Sequence, residues 1–101
     1  MKFKQLLETN FRHQHTVAEY ANLLNISSKT LVNHTNDAVL RTPLAIINDR
    51  IILEAKRLLL HSSLNVNEIG FQLGFDDASY FVKFFKKQVK RSPTEFRKLV
   101  S

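Results

Sequence analysis

Two prolines, fifty residues apart and each following a hydroxyl residue, divide this chain more firmly than any other feature. Thr42-Pro43 and Ser92-Pro93 each join a helix-capping side chain to a residue preorganised for the first helical position. The residues before them repeat at the same offset of 50, Arg41 with Arg91 and Val39 with Val89. Further upstream the offset becomes 49, pairing Val17 with Val66, Glu19 with Glu68, Leu24 with Leu73 and Ile26 with Phe75. One extra residue in the second copy's turn explains the change. The chain reads as two diverged copies of one helical unit.

Composition narrows the fold class. At 101 residues and 44% hydrophobic, the chain can form one compact domain, or two very small subdomains sharing a core. Two glycines and two prolines leave little room for the frequent turns of an all-β protein, so the expectation is all-α. With no cysteine, a disulfide framework and a thiolate metal site are excluded. No apolar run approaches the ~20 residues of a membrane span. The start, from Met1 to Asn10, lacks a signal peptide's apolar centre, and a cytoplasmic location is expected.

Seven helices are predicted. Phe3, Leu6, Leu7 and Phe11 give residues 2–12 a helical apolar spacing. Thr16-Val17-Ala18-Glu19 is a capping box, opening a helix to about Leu24. Asn25 suits a left-handed turn, and Ser27 or Ser28 caps a third helix to about Asn36. Thr42-Pro43 opens a long helix over about 43–61, with an apolar stripe of Leu44, Ile47, Ile51, Ala55, Leu58 and Leu59. Asn65 to Glu68 is a second capping signal, Gly74 a helix C-cap, and Asp76 or Asp77 caps the next helix. Ser92-Pro93-Thr94-Glu95 begins the last one.

Charge concentrates in the second copy. Residues 83–98 hold seven basic side chains and one acid, whereas residues 1–82 hold eight of each sign. Between Gly74 and Lys90, Phe81, Phe84, Phe85 and Val89 fall on one helical face. Lys83, Lys86, Lys87 and Lys90 fall on the other, with Ser79 among them. A localised basic face of this kind suits a phosphate backbone; alone, it reads more readily as a solvated lysine face. The turn before it, repeated near Asn25, adds the pattern of a helix-turn-helix, whose second helix enters the major groove.

The stretch from Gly74-Phe75 through Ser79-Tyr80-Phe81-Val82-Lys83-Phe84-Phe85-Lys86-Lys87 to Ser92-Pro93-Thr94-Glu95-Phe96-Arg97 closely resembles the second helix-turn-helix of the AraC/XylS family of bacterial transcription regulators. The resemblance reaches back to about Thr16 and covers about 85% of the chain. It implies a single DNA-binding domain over 1–101, with helix-turn-helix units at about 16–36 and 65–90 joined by a linker helix at about 43–61. It implies sequence-specific binding to double-stranded DNA and transcription regulation, the two recognition helices entering successive major grooves. By residue, it carries base contacts to Lys29, Val32 and Asn33, and to Ala78, Ser79, Val82 and Lys83. Lys can donate to guanine, Asn can bond adenine bidentately and a Val methyl can meet a thymine methyl. Half-buried packing is the duller role for each Val, and phosphate contact for Lys29 and Lys83.

Phosphate contacts are expected from Thr16, Ser28, Lys86, Lys87 and Arg97, through helix N-termini and mobile cations; Arg97 could instead pair with Asp76 or Asp77. RNA polymerase and an effector or dimerisation domain outside this chain are further implied partners, and the location becomes bacterial cytoplasm, nucleoid-associated when bound. Two departures from the family pattern stand out. Thr35-Asn36-Asp37 replaces Phe and a basic residue in the first unit, and Leu40 and Lys90 stand where glycine is usual.

No cofactor or metal is expected. His13 and His15 are poorly spaced to share a helix face and lack companion ligands, and His34 falls on the inward side of its helix. No nucleophile or acid–base arrangement suggests an enzyme. The rival readings are an all-helical adaptor with a basic face for an acidic partner, and a peripheral membrane binder using residues 80–98.

Overall fold

Thr16, Ser27, Asn65 and Asp77 each sit in extended backbone and cap the helix that follows, so the local signals set where those helices begin. The computed structural model describes residues 2–100, which form α1 (Lys2–Asn10), α2 (Val17–Leu23), α3 (Ser28–Val39), α4 (Pro43–His61), α5 (Val66–Gln72), α6 (Ala78–Val89) and α7 (Pro93–Val100), with no strand among them. The two open alternatives resolve to Ser27 and Asp77. Three capping boxes close reciprocally. Glu19 N–H donates to the Thr16 hydroxyl at 3.2 Å while the Glu19 carboxylate accepts Thr16 N–H at 3.1 Å. Asn65 with Glu68, and Ser92 with Glu95, repeat the exchange. Each cap stabilises its helix by about 1 kcal/mol.

The helix ends use left-handed backbone. Asn25, Leu40 and Lys90 have φ of 55°, 58° and 71°, and Gly74 has 88°. α3 runs three residues beyond the expected Asn36, because Leu40 N–H bonds the Asn36 carbonyl and closes one more turn.

The chain divides into two compact units, residues 1–50 and 51–101. α4 contributes its first half to one and its second half to the other. In the first unit Phe3, Leu7, Phe11, Tyr20, Ala21, Leu31 and Ile47 are buried. The Tyr20 ring meets Phe3 edge-on at 5.4 Å, and its hydroxyl donates to the Gln14 carbonyl at 2.9 Å. Arg50 stacks over Phe11 at 4.0 Å and makes a bidentate pair with Glu8.

The second unit closes on Ile51, Ala55, Leu58, Leu59, Ile69, Leu73, Phe75, Phe81 and Phe85. Phe75 contacts both Phe81 and Phe84 at 5.3 Å between ring centres, and Phe85 contacts Phe96 at 5.7 Å. α5 lies so close to α6 that a Cβ on Gly70 would stand 3.1 Å from the Phe81 Cβ. That approach explains glycine inside a helix, where it otherwise costs about 1 kcal/mol.

One expectation for α4 changes, and one buried residue is added. Leu44 is 49% exposed, since Pro43 takes the buried position and Leu44 stands one helical step, about 100°, round the axis. Glu54, unmarked in the sequence, is buried, its carboxylate paired with the exposed Arg57 guanidinium one turn on.

Candidate nucleic-acid interface

In each unit a short helix, α2 or α5, packs against a twelve-residue helix, α3 or α6. Leu31 and Thr35 anchor α3, and Phe81 and Phe85 anchor α6, each pair four residues apart and buried. Anchoring fixes what faces outward. On α3, Lys29, Asn33 and Asn36 are exposed, and Val32 is 38% exposed. On α6, Ser79, Lys83, Lys86 and Lys87 are exposed, while Ala78 and Val82 are half-buried. Of the residues expected to read bases, Lys29, Val32 and Asn33 on α3 and Ser79 and Lys83 on α6 are exposed, and Ala78 and Val82 lie at the edge of the buried face.

His34 departs from expectation: it is exposed, and Thr35 takes the inward place. Thr35, four residues after Leu31, lies on the buried stripe, and its hydroxyl donates back to the Val32 carbonyl at 3.2 Å, which makes its burial affordable.

Two expected phosphate contacts have donors engaged within the fold. Thr16 directs its hydroxyl proton to the Glu19 carboxylate at 2.7 Å and its N–H to the same oxygen at 3.1 Å. A phosphate accepts hydrogen bonds only, so Thr16 can reach one only by breaking its capping box. Arg97 bonds neither Asp76 nor Asp77. Its guanidinium donates to the carbonyls of Leu59 at 2.9 Å and of Leu58 and Ser62 at 3.4 Å, binding α7 to the C-terminal end of α4. Carbonyls left over at a helix end attract a cation. Ser28, by contrast, is exposed one residue past its cap, in the first turn, where N–H groups lack an intrahelical carbonyl partner.

Electrostatics at α6 centres on its cap. Asp77 Oδ1 accepts both the N–H and the hydroxyl of Ser79 at 2.9 Å. These bonds, with the Lys83 charge nearby, hold the Asp77 carboxyl below its ordinary pKa. Glu95 is lowered likewise by the Ser92 N–H and hydroxyl, helped by the charges of Lys86 and Arg91. The bond between Asp77 and the Ser79 hydroxyl was not foreseen; the spacing Asp-x-Ser at a helix start is the signal that could have shown it. Tyr80, 68% exposed in the first turn of α6, is a second outward residue that periodicity alone left unmarked.

Among the described residues no three His, Cys, Asp or Glu side chains gather as a metal site. No described helix is long and apolar enough to cross a membrane.

A family model described as a helix-turn-helix domain matches residues 20–99. The chain is 30% identical over 91 residues to the HTH-type transcriptional activator RhaS of Klebsiella pneumoniae, covering 90% of this chain and 33% of the relative. It spans about a third of the length of the curated relatives it matches. Among solved structures it is similar to the C-terminal domain of the two-component response regulator yesN from Fusobacterium nucleatum, with TM-score 0.87, 27% identity and coverage of 95% of this chain and 94% of that one. It is also similar to the DNA-binding domain of the transcriptional factor AdpA in complex with a target DNA, with TM-score 0.80, 25% identity and coverage of 95% and 86%.

Proposed function

The chain belongs to the AraC-type helix-turn-helix family, and on that premise we propose that it binds a specific double-stranded DNA sequence and regulates transcription. The carrying observation is the pair of anchored helices, α3 and α6, each turning one set of groove-compatible side chains outward. In this reading the two units act as one DNA-binding domain over residues 1–101, their recognition helices entering successive major grooves. Lys29, Val32 and Asn33 read bases for the first unit, and Ala78, Ser79, Val82 and Lys83 for the second. Ser28, Lys86 and Lys87 hold phosphates, which fixes register without reading sequence. Thr16 and Arg97 act through the fold, by capping α2 and by holding α7 to α4. The setting is the bacterial cytoplasm, with RNA polymerase and an effector or dimerisation domain outside this chain as further partners.

Selection from random duplex DNA across a salt titration tests the reading. One enriched site of roughly 15–20 base pairs is expected, with affinity falling steeply as salt rises. Binding without sequence preference and without salt dependence would sink it.

A further inference from the structure

We infer that Asp77 sets the polarity with which Ser79 meets DNA. With its one hydroxyl proton held by the Asp77 carboxylate, Ser79 offers lone pairs only and selects an exocyclic amine, adenine N6 or cytosine N4, on the strand it faces. The inference rests on the placement of α6 in the major groove proposed above.

The chemistry follows from counting donors. A serine hydroxyl has one proton and two lone pairs, whereas an ionised carboxylate only accepts. Of the two oxygens 2.9 Å apart, Ser79 Oγ must therefore be the donor. The depressed pKa of Asp77 agrees with an ionised carboxylate there. Hydrogen bonds to ionised acceptors are about twice as strong as neutral ones, so the proton stays on this bond when a base edge approaches. Two consequences follow. While its proton stays on Asp77, Ser79 Oγ has none to give a phosphate, which presents acceptors alone. Nor can it bond guanine O6 or N7 or thymine O4, which also accept. Only the amines of adenine and cytosine remain as major-groove donors. The first unit lacks the device: Ser27 is itself the cap of α3, and its hydroxyl donates to Thr30 Oγ1 at 2.9 Å.

The experiment uses the whole chain and a duplex selected by it, with each position of the site varied through all four bases. At one position adenine or cytosine should bind about fivefold better than guanine or thymine. Replacing the adenine there by purine, or the cytosine by 2-pyrimidinone, deletes only the amine and should cost the same. Ser79→Ala should abolish the preference at that position and leave the others. Asp77→Asn keeps a capping side chain but holds the hydroxyl through a neutral oxygen, so the same preference should narrow at least twofold with helix content unchanged by circular dichroism. A Ser79-dependent preference for guanine or thymine would overturn the inference. So would a Ser79→Ala protein that keeps every preference, or an Asp77→Asn protein weakened equally on all bases, the result expected of a plain cap. If no site is selected at all, the DNA-reading assignment falls, and this inference with it.

Discussion

Leu40 and Lys90 occupy left-handed backbone with φ of 58° and 71°, a conformation that costs a residue with a Cβ roughly 1–2 kcal/mol. Glycine removes that strain and gives part of the gain back through its freer unfolded chain. Leu40→Gly and Lys90→Gly should each stabilise the protein by about 0.5–1 kcal/mol, read as a higher midpoint in urea at unchanged slope. Leu40 is 84% exposed, so little packing opposes the gain. A lower midpoint for Leu40→Gly would show that its side chain does more than the backbone requires. Tyr20 supplies a second residue-scale prediction. Burial, helped by the Glu19 charge, pushes its hydroxyl from 10.0 up to about 12. The unfolded chain therefore loses this proton first, and stability falls as pH rises between those values. Thermal melts should show this alkaline limb in the parent and a shallower one in Tyr20→Phe. The same slope in both proteins would remove Tyr20 as its source.

At the scale of elements, the closeness of α5 to α6 decides what position 70 tolerates. Alanine there would favour the helix by about 1 kcal/mol. Its Cβ would nevertheless press on the Phe81 ring at 3.2 Å, and Phe81 is fully buried. Overpacking of this kind costs about 1–3 kcal/mol, so Gly70→Ala should destabilise by about 1 kcal/mol. In a Phe81→Ala background, which removes the ring and leaves only the Cβ at 3.1 Å, the same change should cost less, which a double-mutant cycle measures. The caps carry a pH dependence of the opposite sense to Tyr20. Thr16 bonds lower Glu19, and Ser79 and Ser92 bonds lower Asp77 and Glu95. Groups with depressed folded pKa values contribute stability above their unfolded values, and that stability is lost as pH falls through the folded ones. The melting temperature should therefore drop as pH falls below about 4.5, the ordinary glutamate value. Glu19→Gln and Glu95→Gln together should flatten that drop; an unaltered acid limb would place its origin in other carboxylates.

For the whole molecule, the surplus of charge predicts how binding divides. Replacing Lys86 and Lys87 by alanine should weaken all duplexes alike and reduce the slope of log affinity against log salt by about 0.9 per lost contact. Lys83→Ala should instead cost about 1–3 kcal/mol and relax one base position; uniform weakening would assign Lys83 to phosphate. Much of this arrangement was legible beforehand, because its causes are local. Capping boxes act over three residues, proline acts on its own φ, and anchors such as Phe81 and Phe85 follow helical spacing. Hence the helix starts, and the outward setting of Lys29, Asn33, Ser79 and Lys83, follow from the chain alone. Other features depend on distant partners. Arg97 meets carbonyls 35 to 39 residues earlier, Arg50 meets a glutamate 42 residues away, and Glu54 is buried by packing that no neighbour announces. His34, expected inward, faces outward and Thr35 is buried instead, because the buried stripe follows Leu31 by four residues, a phase that packing against α2 selects. By itself, then, the sequence determined the helices, most of their caps and the outward setting of Lys29, Asn33, Ser79 and Lys83. Tertiary structure decided which hydrogen-bond donors were left for a ligand, because a donor's partner is fixed only when distant segments meet.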